Sequence, residues 1–379
     1  MSLSEEFLIH FNTLEDPRLP DRNFRHKLSD ILTITIIATI CGADNWVEIS
    51  NFGRCRYQWF LEFLELPHGI PSHDTFSRVF AALDSSKFEL CFIEWAKSLE
   101  QIFSKDNSKK HIAIDGKTSR RSHNRNKGQN PLHLVSAWAS DCGLLLGQVK
   151  TEEKSNEIEA IPRLLNMINI KNSLITIDAM GCQKAIAENI IEQKGDYILS
   201  LKGNQPTLSE NVRSIFALAK DADFKNMHNI RKIEKVKNHG RIEKRRYSLI
   251  SCKDKWSFDV RWPGMRSLGM VEVKRTVNNI TTKHTRYFLT SLTYENIDDF
   301  MRGVRKHWDI EINLHWSLDV SFNDDLNRSR IGNSQENLSI VKRIALNLLK
   351  QDKSTKVGIT VKRKKAGWDN EYLKKIIGV

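Results

Sequence analysis

The sequence predicts an α/β fold: an all-α N-terminal domain ahead of an α/β core, with a β-rich insertion inside that core. Three observations predict it. Two short apolar runs of strand-forming residues each deliver an aspartate to their end. One is His111-Ile112-Ala113-Ile114-Asp115, followed at once by Gly116 and Lys117; the other is Leu174-Ile175-Thr176-Ile177-Asp178, followed by Ala179, Met180 and Gly181. Buried strands of open α/β sheets place ligand chemistry at such ends. The residues before the first run carry aromatics at helical spacing, and the stretch 205–290 alternates charged and aromatic residues in short strand-like pieces.

The elements follow in chain order. Residues 1–108 read as helical. Leu28 to Cys41 is apolar and closes on Gly42, and the next segment spaces Trp46, Phe52, Trp59, Phe60 and Phe63 along helical turns. Gly69-Ile70-Pro71-Ser72-His73-Asp74 leads into an amphipathic segment with Ser72 as N-cap, the shape of the second helix of a helix-turn-helix. An all-α module that packs on the core or on a second subunit is an equally good reading. After a polar linker, Lys105 to Lys110, the first part of the core covers 109–204. It holds a strand at His111–Thr118, a basic loop (Arg120, Arg121, Arg125, Lys127) and a hairpin of Leu132–Ala139 with Leu144–Lys150. A helix at Asn156–Ile168, the strand Leu174–Asp178, a helix at Gln183–Lys194 and a strand at Asp196–Lys202 complete it. Three antiparallel strands followed by helix–strand–helix–strand is the order of a ribonuclease H-like core. Its first and fourth strands lie side by side, which would bring Asp115 to Asp178. The β-rich insertion spans 205–290. Residues 291–350 return to the core with a helix from Asn296 through Trp316, whose face at i, i+4 spacing carries His307, Glu311 and His315. A basic tail, 351–379, contains Lys362-Arg363-Lys364-Lys365.

Composition narrows the function classes. The longest apolar run, Ile31 to Ile40, contains three threonines and is too short to span a bilayer. No signal peptide is evident, and the six cysteines are scattered without a Cys-x-x-Cys pair. A cytoplasmic protein without a disulfide framework or zinc ribbon is therefore expected. Net charge is +13. Residues 1–104 hold 9 Lys and Arg against 15 Asp and Glu, a net of −6, so the remainder carries +19. An excess of that size in the later part of the chain is the footprint of a polyanion, above all nucleic acid.

The acids suggest the chemistry. A carboxylate is costly to bury unless its charge is compensated, so two strand-end aspartates point to a shared cation. Taken singly, each could equally cap a helix or close a turn. With Glu311 on a later helix, three acids from distant sequence can hold two divalent ions about 3.5–4 Å apart, the arrangement of two-metal phosphoryl transfer. Carboxylates suit Mg²⁺ (or Mn²⁺), two ions per active site. A competing arrangement is zinc on His307, Glu311 and His315, although hydrolytic zinc sites usually place the glutamate beside the first histidine.

Short motifs then extend along nearly the whole chain. They are Asp16-Pro17-Arg18, Cys41-Gly42-Ala43-Asp44, Gly69 to Asp74, Ala113 to Thr118, His133 to Trp138 and Lys154 to Ile158. They continue through Thr176 to Gln183, Leu201-Lys202-Gly203-Asn204-Gln205, His239 to Glu243 and His307-Trp308-x-Ile310-Glu311. Together these resemble the insertion-sequence transposases of the DDE class, in particular the H-repeat-associated group. The resemblance implies Asp115, Asp178 and Glu311 as catalytic, metal-holding acids, with DNA cleavage at element ends and strand transfer of the 3′-OH into target DNA. Expected DNA contacts are Lys117, Arg120, Arg121, Lys202, Arg241, Arg245, Arg246, Arg305, His307 and Trp308. Expected partners are element-end and target DNA and a second copy of the chain on DNA, in the cytoplasm at the nucleoid and without a membrane. The wider class places Tyr, Arg and Lys around the glutamate where this chain has Val304, His307 and Leu318, which leaves Arg305 and Lys306 as replacements. A metal-dependent nuclease without strand transfer and an inactive, transposase-derived DNA-binding protein are the alternatives.

Overall fold

The computed structural model describes residues 9–18, 25–103, 109–123, 128, 130–151, 156–238, 240–253 and 262–378. Arg125 and Lys127 of the basic loop, and Lys154-Ser155, lie outside them. In chain order the first elements are α1 (Leu28–Ile40), α2 (Trp46–Cys55), α3 (His73–Ala82), α4 (Ser85–Phe103), β1 (Lys110–Thr118), β2 (His133–Ala139) and β3 (Leu144–Thr151). Next come α5 (Glu157–Met167), β4 (Ser173–Ile177), α6 (Lys184–Glu192), β5 (Asp196–Leu201), α7 (Pro206–Asp221), β6 (Asn229–Asn238), β7 (Arg241–Ser251), β8 (Ser267–Val277) and β9 (Ile280–Thr290). Then follow α8 (Ile297–Lys306), α9 (Trp316–Phe322), α10 (Ser334–Gln351), α11 (Ile359–Trp368) and α12 (Asn370–Ile377). Two compact units are assembled from separated stretches. The first is Met1–Asp106, Gly116–Asn156 and Glu311–Val379; the second is Asn107–Asp115 and Glu157–Ile310.

The first unit is built on α1, which is apolar on nearly every side and buried accordingly; such a helix belongs inside a core. Its two deepest hydroxyls are satisfied locally, Thr35 donating to Ile31 O (2.7 Å) and Thr39 to Thr35 O (2.8 Å). Asn45 and Ser72 cap α2 and α3 by accepting from the amides of Glu48 and Thr75. Trp46 stacks on Phe80 with ring centroids 4.9 Å apart, and Trp59 and Phe60 are buried. Trp46, Trp59 and Phe60 are therefore part of the unit's own core. The β2–β3 hairpin docks α10 through a side chain that imitates a strand: the Asn347 carboxamide accepts from Leu145 N and donates to Leu145 O, both at 2.9 Å.

The basic tail folds as α11 and α12. Lys362 and Arg363 are buried at 6% and 4% exposure. Lys362 donates to Leu349 O, and Arg363 donates to Thr39 O at the end of α1 and pairs with Asp44 at 2.8 Å. Cations suit the carbonyl end of a helix, so these charges serve the first unit internally rather than forming a free basic arm.

In the second unit the strands lie in the order β1-β4-β5-β9-β8-β7-β6. β1, β4 and β5 are parallel, and the rest join antiparallel. The insertion opens with α7, begun by Pro206 at a position where its missing N–H costs nothing; the alternating pattern gave no sign of this helix. Its strands do not form a sheet of their own. β9 pairs with β5 from Ile198↔Thr290 to Leu201↔Tyr287, so the insertion prolongs the core sheet. Against it packs α8, whose Phe300 and Val304 join Tyr247, Leu249, Val271 and Phe288 in one cluster. Gly269 makes the room: a Cβ there would lie 2.5 Å from the Phe300 ring.

One expected element is broken. The helix from Asn296 to Trp316 stops at Lys306, turns at His307-Trp308, and resumes as a π-helical stretch, Ile310–His315, before α9. π-Turns carry an extra residue, so His307, Glu311 and His315 do not share the single i, i+4 face that the sequence suggested.

Candidate active site

The second unit places Asp115 and Asp178 on neighbouring strand ends. β1 and β4 run parallel with Ile114 opposite Ile177, and each aspartate is the next residue of its chain. Residues 112–114 and 174–177 are buried, so both strands are fixed by apolar packing while the half-buried acids emerge at the carboxyl end of the sheet. This is where open sheets assemble ligand sites.

Asp178 closes the turn after β4 by accepting from Met180 N at 2.9 Å. It is not the N-cap of α6, a place taken by Gln183. The Asn204 side chain donates to Ala179 O, and Gln205 Nε2 donates to Cys182 O at 3.1 Å. The Gly203-Asn204-Gln205 motif thus ties down the loop that carries Asp178. Gly181 lets that loop close, since a Cβ there would lie 2.3 Å from Ile177 Cγ2.

Behind the two acids runs a buried polar relay that sequence reading did not find. Thr176 Oγ1 lies 3.0 Å from His111 Nε2 and 3.1 Å from His307 Nδ1. A hydroxyl has one proton to give, so at least one imidazole must donate to it. Burial pushes His307 down to about 4, which keeps its ring neutral near pH 7. The sequence signals were a histidine inside an apolar strand and a threonine two residues before Asp178. Trp308 is 45% exposed with the Arg286 guanidinium 5.8 Å from its ring. Lys202 is exposed at the end of β5, and Arg305 pairs with Glu234 at 2.5 Å. In the insertion, Arg245 is bound between Glu243 (2.5 Å) and Glu234 (3.3 Å), Arg241 approaches Glu243 at 3.4 Å, and Arg246 is exposed.

The remaining candidates lie in the first unit. Glu311 opens its last stretch, exposed, on the π-helical turn. Lys117 is 8% exposed and paired with Asp319 at 2.6 Å and Asp325 at 3.5 Å. Arg120 and Arg121 are exposed, Arg120 with its backbone N–H on Asp325 Oδ1 at 3.0 Å. Asp324 is buried beside Lys342 (3.5 Å) and accepts from Ser119 Oγ (2.9 Å). Burial raises its carboxyl, but Lys342, Arg343 and Lys117 outweigh that and hold it near 2. Among the described residues no group of three or more His, Cys, Asp or Glu side chains is gathered so as to hold a metal ion. What the structure does bring together is a pair: two carboxylates at adjacent strand ends, an all-oxygen donor set of the kind hard divalent cations take.

Comparison with known proteins places the chain in a family. Residues 80–348 match the family described as Transposase DDE domain, and residues 8–96 match the DDE_Tnp_1-associated family. The chain is 40% identical over 358 residues to a putative transposase, YncI, of Escherichia coli O157:H7, covering 93% of this chain and 90% of that one. It is 39% identical over 359 residues to the H repeat-associated putative transposase YhhI of Escherichia coli strain K12, covering 93% and 92%. A solved piggyBac transposase synaptic complex with hairpin DNA matches 99% of this chain and 77% of that one at 11% identity, but a TM-score of 0.42 lends that likeness no weight.

Proposed function

Because the chain belongs to the DDE transposases, in the H-repeat-associated group, we propose that it cuts the ends of its element and joins the freed 3′-OH to target DNA. The observation that carries this is the β1–β4 register, which sets Asp115 beside Asp178 at the carboxyl end of the sheet. Asp115, Asp178 and Glu311 are the acid set, and they would hold two Mg²⁺ or Mn²⁺ ions. Bound there, the ions supply Lewis acidity at the scissile phosphate and lower the pKa of the attacking hydroxyl.

The chain's own residues do the positioning. The apolar strands fix the two aspartate backbones, and the Asn204–Gln205 clamp holds the loop after Asp178. The His111–Thr176–His307 relay, with the His307 ring held neutral by burial, keeps the ground beneath the acids rigid. Exposed Lys202 and Trp308 offer a phosphate contact and a stacking face. Two ends must be held at once while one chain carries one acid set, so the working complex contains at least two chains. Among the described residues no helix is long and apolar enough to cross a membrane, and the protein acts at the nucleoid.

The test uses a linear fragment carrying the gene's own flanks, with Mg²⁺ or Mn²⁺. Asp115→Asn, Asp178→Asn and Glu311→Gln should each abolish nicking while DNA binding persists. Full activity in excess chelator would overturn the mechanism. Nicking without joined product would reduce the protein to a nuclease.

A further inference from the structure

The register of the insertion strands aligns four lysines that are far apart in sequence. Lys235 faces Lys244, Lys244 faces Lys274, and Lys274 faces Lys283. Directly opposed residues share a face, so one row of like charges crosses β6, β7, β8 and β9. At about 4.8 Å between strands the row is about 14 Å long. Lys235, Lys274 and Lys283 are exposed and Lys244 is half-buried. Among the described residues none of the four has an ion-pair partner. Residues two positions along lie on the same face: Arg246 and Glu272 in one neighbouring row, Lys237 in the other. Glu272 is already engaged by Lys220 at 2.8 Å.

The other face is built differently. There Glu234 and Glu243 neutralise Arg245, Arg305 and Arg241. Two of the three acids of these strands, Glu234 and Glu243, thus lie on the face away from the four unpaired lysines, and the third, Glu272, is held by Lys220. Like charges placed directly opposite destabilise a sheet, and a free surface gains nothing from stacking four of them.

We propose that this lysine row, flanked by Lys237 and Arg246, is a docking face for the phosphate backbone of duplex DNA, read without regard to base sequence. It rests on the reading of the chain as a DNA transposase and adds where the duplex lies. Charge complementarity selects the occupant: duplex DNA carries one charge per about 1.7 Å of axis, so the row meets about eight. Arg246, partial loss of hydration, Lys235 and Lys274 together press the Lys244 ammonium below its usual pKa. Arg245, expected from sequence to touch DNA, turns to the opposite face and is held by carboxylates.

The experiment measures binding of a short duplex of arbitrary sequence against salt concentration. Each lost phosphate contact lowers the log–log slope by about 0.9. Changing all four lysines to Ala should flatten it by about three to four, and Lys→Arg at the same positions should preserve it. Lys274→Ala alone should remove about one unit, which keeps the test open if the fourfold variant misfolds. Arg245→Ala and Arg275→Ala, on the other face, should leave the slope as it is. An unchanged slope in a folded fourfold variant, with the wild type binding normally, overturns the docking face and leaves the transposase reading standing. Failure of the wild type to bind any duplex would overturn both.

Discussion

Lys117 and Asp319 form a short ion pair, 2.6 Å from Nζ to Oδ1, with the ammonium 8% exposed. Lys117 follows Asp115 by two residues, and Asp319 is a second acid a short way along the chain from Glu311. An aspartate committed to a buried ammonium is a poor metal ligand. Asp319→Asn should therefore retain metal-dependent nicking and lose stability instead, whereas Glu311→Gln should lose nicking and keep its melting temperature. Paired nicking and melting assays decide it, and the reverse pattern would move the third ligand to Asp319.

Asp324 and Lys342 are each 1% exposed and 3.5 Å apart. Removing one partner strands a buried charge, which typically costs about 3–5 kcal/mol. Asp324→Asn should fall in that range by urea unfolding. Adding Lys342→Met should recover part of the loss, because the uncompensated ammonium is then gone.

Burial holds His315 at about 3, below its ordinary value of 6.5. Between those values the unfolded chain binds a proton that the folded chain refuses, so stability rises with pH. The contribution is complete above about pH 6.5 and drains away as the pH falls, at about 1.4 kcal/mol per unit. The stability deficit of His315→Gln relative to wild type should accordingly shrink between pH 6.5 and 5. A constant deficit across that range would mean the ring is protonated in the fold.

Gly269 gives Phe300 its place, with 2.5 Å from a would-be Cβ to the ring. An aromatic ring inside a packed cluster yields little. Gly269→Ala should cost about 1–3 kcal/mol by overpacking, read as a lowered thermal midpoint. Val at the same site should be worse.

Assembly is tested by analytical ultracentrifugation with and without flank DNA. The N-terminal aromatics and the tail cations Lys362 and Arg363 are both consumed inside the first unit, so DNA is expected to hold the two chains together. A catalytically competent complex with one chain would end this view.

What the sequence determined by itself was local. Apolar strands ending in Asp115 and Asp178, the Ser72 cap and the charge imbalance are written in neighbouring residues and in composition, and the motifs carried the family. The N-terminal helices were legible because their period lies within a few turns, whereas the helix from Pro206 was hidden in a stretch that reads as strand. Only the tertiary structure decided which charges are spent. Nothing local distinguishes Arg245 from Arg246, since alternation puts them on opposite faces and only strand pairing says which face holds the acids. The same holds for Lys117, Lys362 and Arg363, whose partners lie far away in sequence. Strand register is set by side chains packing across the sheet, and it alone turned Lys235, Lys244, Lys274 and Lys283 into a row.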